Sequence, residues 1–284
     1  QAALTSPADD AINVVTSPTF NWSAATQASN YRIEVSTSET FANTLINQVV
    51  SGTSLVSPVV LPTSTEIYWR VTAMNICGDT VSTVFSFTTQ AAPGDCPIGV
   101  PPTIVLGEDF EGAATGWGQQ AGGVGTNSWA ITSVLPFAGS KALQGLTPTT
   151  VTDQRYTSPT VALPSVGNGL SLSFQQARDI EANGATGCYD AGIIEVAVNG
   201  GAFAQVTQGI QTVPYNGPVS TGFQSPIGGV PGWCGATLPY ARTVIDLTPY
   251  ANQSVQFRFR LATDSSANRP LGWNIDNFEI KRCN

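Results

Sequence analysis

Apolar residues recur at every second position along this chain, in short runs broken by turn residues. Nowhere does a 3.6-residue period last long enough to make a helix. Phe20 and Trp22 fall on one face, as do Tyr31, Ile33 and Val35, then Trp69, Val71 and Ala73, and finally Phe85 and Phe87. A period of two sends alternate side chains to opposite faces of an extended strand, leaving each run one face to bury and one for solvent. The same code continues in Leu170, Leu172 and Phe174, and in Ile194, Val196 and Val198 ahead of an Asn199-Gly200-Gly201 turn. It is strongest in Val255, Phe257, Phe259 and Leu261, with Arg258 and Arg260 pointing outward between them. With 28 glycines and 19 prolines among 284 residues to make turns, an all-β fold is expected.

The length suits two domains. Residues 1–91 hold several short strands in about ninety positions, the pattern of an antiparallel sandwich. Residues 92–106 carry four prolines between positions 93 and 102 and are expected to form an extended, semi-rigid linker. Residues 107–284 are again all strand by pattern and have the size of a jelly roll. The start, Gln1-Ala2-Ala3-Leu4-Thr5-Ser6-Pro7, lacks the basic and apolar regions of a signal peptide and reads as linker entering a strand. A piece of a longer precursor is therefore expected.

Charge and residue inventory exclude several kinds of function. Only 11% of residues are charged, the net charge is −8 and the pI is near 4.4, a poor match to nucleic acid or an anionic membrane surface. No window of eighteen apolar residues offers a membrane span. There is no histidine, so no Ser-His-Asp triad, HExxH zinc helix or imidazole acid–base pair can form. No nucleophile elbow, P-loop or dinucleotide fingerprint occurs. The cysteines at 77, 96, 188, 234 and 283 form no CxxC pair, which favours disulfides in an oxidising compartment. Pairing within domains gives Cys77–Cys96 and Cys188–Cys234, leaving Cys283 over.

Two family resemblances follow from particular residues. Pro18-Thr19-Phe20-Asn21-Trp22, Tyr31-Arg32-Ile33-Glu34-Val35, Tyr68 to Asn75 and Phe85-Ser86-Phe87-Thr88-Thr89 resemble a fibronectin type III domain over residues 4–89, an immunoglobulin-like sandwich. The match departs at Ile67, where that family's corner tyrosine would stand. In the second domain the marks come in order: Asp109-Phe110-Glu111-Gly112, Gly116-Trp117, Ser158-Pro159, Tyr189-Asp190, Val198 to Gly201, Asp246 to Tyr250, Phe257 to Arg260 and Gly272 to Asp276. Together they resemble the jelly-roll module of the immune inhibitor A and MAM-like group, found in secreted bacterial metallopeptidases and surface proteins.

That resemblance implies a structural calcium ion between first and last strands, held by Glu111, Asp190 and Asp276, with Asp109 a further candidate. The residues themselves leave alternatives open. A carboxylate among apolar side chains must be protonated, paired with a cationic side chain such as Arg258 or Arg260, or bound to a hard cation such as calcium. The stretch from Val206 to Arg242 is a long insert with a single charge at its end and the aromatics Tyr215, Phe223, Trp233 and Tyr240. Tyr215, Trp233 and Tyr240 are candidate ligand contacts, the competing role for Trp233 being to pack the Cys188–Cys234 bond. Trp117, Trp129 and Trp273 are expected in the core. Glu108, Asp109 and Glu111 are the densest acids, but alternation splits them between two faces, without an opposing acidic cluster for glycosidase chemistry.

The expected function is a non-catalytic, calcium-stabilised extracellular or cell-surface module of a bacterial secreted protein. It tethers an enzyme, a metallopeptidase by resemblance, to a polysaccharide, a protein substrate or the cell surface. The alternatives are a self-associating adhesive or filament subunit, and a carboxylate-based jelly-roll glycosidase.

Overall fold

The alternating runs become strands in the computed structural model, which describes residues 1–284 as two compact units, Gln1–Gly99 and Val100–Asn284. Helix is confined to one 3₁₀ turn at Thr248–Tyr250, so no helix is long and apolar enough to cross a membrane.

The first unit contains β1 (Leu4–Ser6), β2 (Ala11–Val14), β3 (Thr19–Trp22), β4 (Asn30–Ser36), β5 (Thr44–Val50), β6 (Ser54–Val56), β7 (Glu66–Asn75), β8 (Gly78–Val81) and β9 (Phe85–Thr89). Three of them form a sheet ordered β1-β3-β6, and the others form one ordered β2-β9-β7-β4-β5 with β8 also on β7. The inward positions are those the two-residue period marks: Phe20, Trp22, Tyr31, Ile33, Val35, Ile67, Trp69, Val71 and Phe87 make one core. Each large apolar side chain so buried contributes about 1.5–3 kcal/mol. Ile67 shares the inward face of Trp69 and Val71. On the opposite face of the same strands Arg70 pairs with Glu34 at 2.8 Å.

The second unit contains β10 (Pro102–Glu108), β11 (Gly118–Gln119), β12 (Ala130–Thr132), β13 (Ala142–Thr147), β14 (Thr152–Thr157), β15 (Val161–Ala162) and β16 (Gly169–Ile180). It continues with β17 (Ala182–Asn183), β18 (Gly187–Cys188), β19 (Ala191–Val198), β20 (Ala204–Gln205), β21 (Gly217–Pro218) and β22 (Pro231–Gly232). β23 (Gly235–Asp246), β24 (Ser254–Thr263) and β25 (Arg269–Cys283) complete it. One sheet runs β12-β13-β25-β16-β23, with β10 also on β25; the other runs β11-β14-β24-β19-β20, with β15 also on β24. First and last strands do lie side by side, Glu108 opposite Phe278. The linker is shorter than expected, because Pro102 to Leu106 already belong to β10. Pro102 opens the strand, the position where a missing N–H is tolerated.

Inner faces of the two sheets meet in one core built from Leu170, Leu172 and Phe174 of β16, Phe257, Phe259 and Leu261 of β24, and Trp129, Trp233 and Trp273. Gly192 leaves the space for Trp273, since a Cβ there would lie 2.5 Å from the indole. Outside the second sheet, Asp153, Arg155, Arg258, Arg260 and Glu195 form a buried ion ladder. Arg260 reaches Asp153 at 2.7 Å and Glu195 at 3.1 Å, so neither Arg258 nor Arg260 is the partner of Asp276.

Cys188 is bonded to Cys234, with Cα atoms 5.6 Å apart. The Cys77–Cys96 pairing is corrected. Cys77 is a free, exposed thiol in the β7–β8 turn, where its N–H is held by the Asn75 side chain, while Cys96 is disulfide-bonded. Cys283, left over in the sequence reading, is buried and disulfide-bonded too.

Candidate functional site

The four acids expected to share one calcium ion do not form one group. Asp276, on the outward face of β25, accepts hydrogen bonds from the backbone N–H of Phe137 at 2.8 Å, Ala138 at 3.3 Å and Asn277 at 2.8 Å. Burial, opposed by those bonds and assisted by the charge of Glu111, holds its carboxyl above the ordinary range. Glu111 grips the same loop further on, accepting from the N–H groups of Ser140 and Lys141 and from the Ser140 hydroxyl, each at 2.8 Å. The Lys141 N–H bond leads the causes that lower its carboxyl pKa. Asp109 instead closes its own turn by accepting from the Glu111 N–H at 3.1 Å. With Glu108, Asn277 and Glu279 it lines an open depression of about 420 Å³. Backbone donors thus hold Glu111 and Asp276 as the pillars of loop 137–141, and Asp190 is not among their neighbours.

Asp190 belongs to a second cluster, with Glu181 and Asp264, whose carboxylate oxygens lie within 4.8 Å of one another. The topology explains the meeting. Glu181 follows the end of β16, Asp190 precedes β19 and Asp264 follows β24, whose end pairs with the start of β19 through Ala191 and Ala262. The Tyr189 and Asp190 N–H groups donate to the Glu181 carbonyl, and the Asp264 N–H donates to Asp190 Oδ1 at 2.7 Å. Asp190 and Asp264 are 1% and 2% exposed, and the second carboxylate oxygen of each has no hydrogen-bond partner. The Ser266 hydroxyl lies 3.0 Å from Glu181 Oε2 and 2.8 Å from Asp264 Oδ1, with one proton to serve both. Burial, with the Asp264 and Glu181 charges adding to it against the Asp264 N–H bond, pushes the Asp190 carboxyl up to about 7. Sequence reasoning found Asp190 but missed Glu181 and Asp264, which carry no local motif and meet only through strand order.

The insert is ordered. Val206, Val219, Ile227 and Trp233 are buried, and short bridges tie it to Cys188 and Gly192. Two of its three candidate contacts turn inward. Trp233 is fully buried against Tyr215, Phe174 and Trp273, with its indole N–H on the Val213 carbonyl at 2.8 Å. It packs the core beside the disulfide and offers no ligand surface. The Tyr215 hydroxyl is tied to the Ile194 backbone. Tyr240, half-buried on β23, meets a residue the sequence reading did not select. Its hydroxyl donates to the Leu135 carbonyl at 2.6 Å and its ring lies 5.5 Å from Phe137.

β12 and β23 are opposite edges of one sheet, so segment 133–141 must cross that sheet's outer face to make this contact. Val134, Leu135, Phe137 and Leu238 are each more than two-fifths exposed around the ring pair. Neither contributing stretch, 112–140 or 196–241, contains a charged side chain. The result is a neutral, aromatic and aliphatic patch above Asp276; burial of Tyr240 itself, and after it the Asp276 charge, raise the tyrosine hydroxyl pKa.

The chain matches no protein-family profile and no curated protein sequence. Among solved structures it is similar to the carbohydrate-binding module TmCBM61 in complex with β-1,4-galactotriose, at 13% identity and a TM-score of 0.38, over 61% of this chain and 92% of that one. It is also similar to a carbohydrate-binding module of the β-sandwich superfamily, at 13% identity and a TM-score of 0.38, covering 99% of this chain and 97% of that one. A cleaved adhesin domain of Lys-gingipain from Porphyromonas gingivalis aligns at 19% identity and a TM-score of 0.34, over 63% of this chain and 98% of that one. These are distant likenesses among β-sandwiches, and the function of this chain has to be read from its own residues.

Proposed function

We propose that the chain is a non-catalytic extracellular binding module whose ligand face is the patch around Phe137 and Tyr240. Its ligand is an uncharged extracellular polysaccharide. The observation that carries this reading is the exposed Phe137 ring packed on the half-buried Tyr240 ring, at the junction of two charge-free segments. An aromatic face presents area for the C–H face of a sugar, at little cost in conformational entropy, and its neutral surroundings suit hydroxyl-rich rather than ionic polymers.

The acids support the non-catalytic part. Glu111 and Asp276 are committed to loop 137–141, while Asp153 and Glu195 are committed to arginines. A carboxylate held by backbone donors is a poor proton carrier, since leaving that cradle costs its hydrogen bonds. The first unit serves as a fibronectin type III-like spacer, and the Cys188–Cys234 bond supports an oxidising, extracellular setting.

Depletion of the protein from solution by insoluble polysaccharides, with insoluble collagen as the protein comparison, tests the reading. The expected outcome is retention on at least one neutral polysaccharide and not on collagen. Retention on collagen alone, or on neither, contradicts it.

A further inference from the structure

We propose that Glu181, Asp190 and Asp264 form a calcium site that ties together the ends of β16, β19 and β24, at a place distinct from the Glu111 and Asp276 pillars. Three carboxylates converge within 4.8 Å, two of them almost wholly buried, and each buried one holds an oxygen that no donor in the protein satisfies. An unsatisfied buried carboxylate oxygen is expensive, and one beside two further acids more so. The arginines that balance acids elsewhere in the unit are already engaged, Arg155 and Arg260 with Asp153, and Arg258 with Glu195. Two neutralising agents remain, protons or a cation.

Donor chemistry selects the cation. All the available ligands are oxygens, from the three carboxylates and the Ser266 hydroxyl, whose single proton cannot serve both acids it touches. Neither a thiolate nor an imidazole is present in the cluster to favour a softer metal. Calcium takes six to eight oxygens and accepts carboxylates in flexible geometry, whereas magnesium holds its waters and wants a strict octahedron. The position gives the ion a mechanical role. Glu181 leaves a strand of one sheet, while Asp190 and Asp264 flank two paired strands of the other, so the ion would staple the sandwich at that end. This site stands independently of the ligand face proposed above.

The test is titration calorimetry of the chelator-stripped full chain with calcium chloride, paired with thermal unfolding. Expected is saturable binding with a dissociation constant on the order of 10⁻⁴–10⁻³ M, and a midpoint raised by several degrees at saturation. In Asp264→Asn that binding should weaken by about tenfold or more, and in Asp276→Asn it should persist. Glu181→Gln, at the partly exposed rim, is the second variant should Asp264→Asn not fold, and it should weaken binding in the same direction. Absence of wild-type binding at about 10 mM calcium would overturn the proposal and leave protons as the neutralising agent. So would binding that Asp264→Asn and Glu181→Gln both leave unchanged.

Discussion

Arg258 and Arg260 show how residue-level chemistry is divided in this chain. The two-residue period placed both on the outward face of β24, and that was legible from the sequence. Their partners were not, because Glu195 stands some sixty positions away on β19 and Asp153 over a hundred away on β14. Only strand order joins them. Removing one member of such a buried set leaves an uncompensated charge, so Glu195→Ala should destabilise by about 3–5 kcal/mol in chemical unfolding. A cost below about 1 kcal/mol would mean the ladder behaves like surface pairs.

The ladder also sets a pH response. Burial raises the Asp153 carboxyl pKa, but the hydrogen bonds and charges of Arg260 and Arg155 outweigh it and hold the group below its ordinary 3.8. A carboxyl depressed on folding contributes stability that is complete above its unfolded value and lost as pH falls through the folded one. Asp153→Asn should therefore shrink the drop in thermal midpoint between pH 6 and about pH 3. An unchanged drop would place the acid sensitivity elsewhere.

At the scale of elements, the insert was recognisable by length, composition and its cysteine, and the Cys188–Cys234 bond holds it. Closing 46 residues is worth about 4 kcal/mol in the chain-entropy account. Cys188→Ala with Cys234→Ala should thus lower the midpoint of the second unit by roughly 10 °C. A loss of only a degree or two would show that the buried Val219, Ile227 and Trp233 hold the insert unaided. The sequence was less informative about loop 133–141. It has no period to read, and its two roles, bonding to Asp276 and Glu111 and carrying Phe137 to Tyr240, depend on crossing a sheet. The same limit explains Cys77. Cysteines within one domain were paired by proximity in sequence, whereas the β7–β8 turn carries Cys77 out into solvent. Of the two roles the sequence left open for Trp233, packing beside the disulfide is the one found, since aromatic content in a loop does not say which side of the loop faces the core.

Over the whole molecule, both sandwiches follow from alternation, since periodic strands with one apolar face have few ways to bury it. The acids did not follow, because a carboxylate cluster assembled from the ends of three strands leaves no spacing to recognise. What remains on the surface is a chain without histidine, with charge concentrated away from two long neutral stretches. At their junction Phe137 stands exposed against the half-buried ring of Tyr240, and the proposed binding role depends on those two rings. The most direct measurement is the dissociation constant for the best-retained neutral polysaccharide, wild type against Phe137→Ala, with melting curves recorded for both. The predicted result is affinity weakened by about tenfold, equivalent to about 1.4 kcal/mol, with the midpoint nearly unchanged because the side chain is exposed. Equal affinities for two equally folded proteins would contradict the assignment of this face.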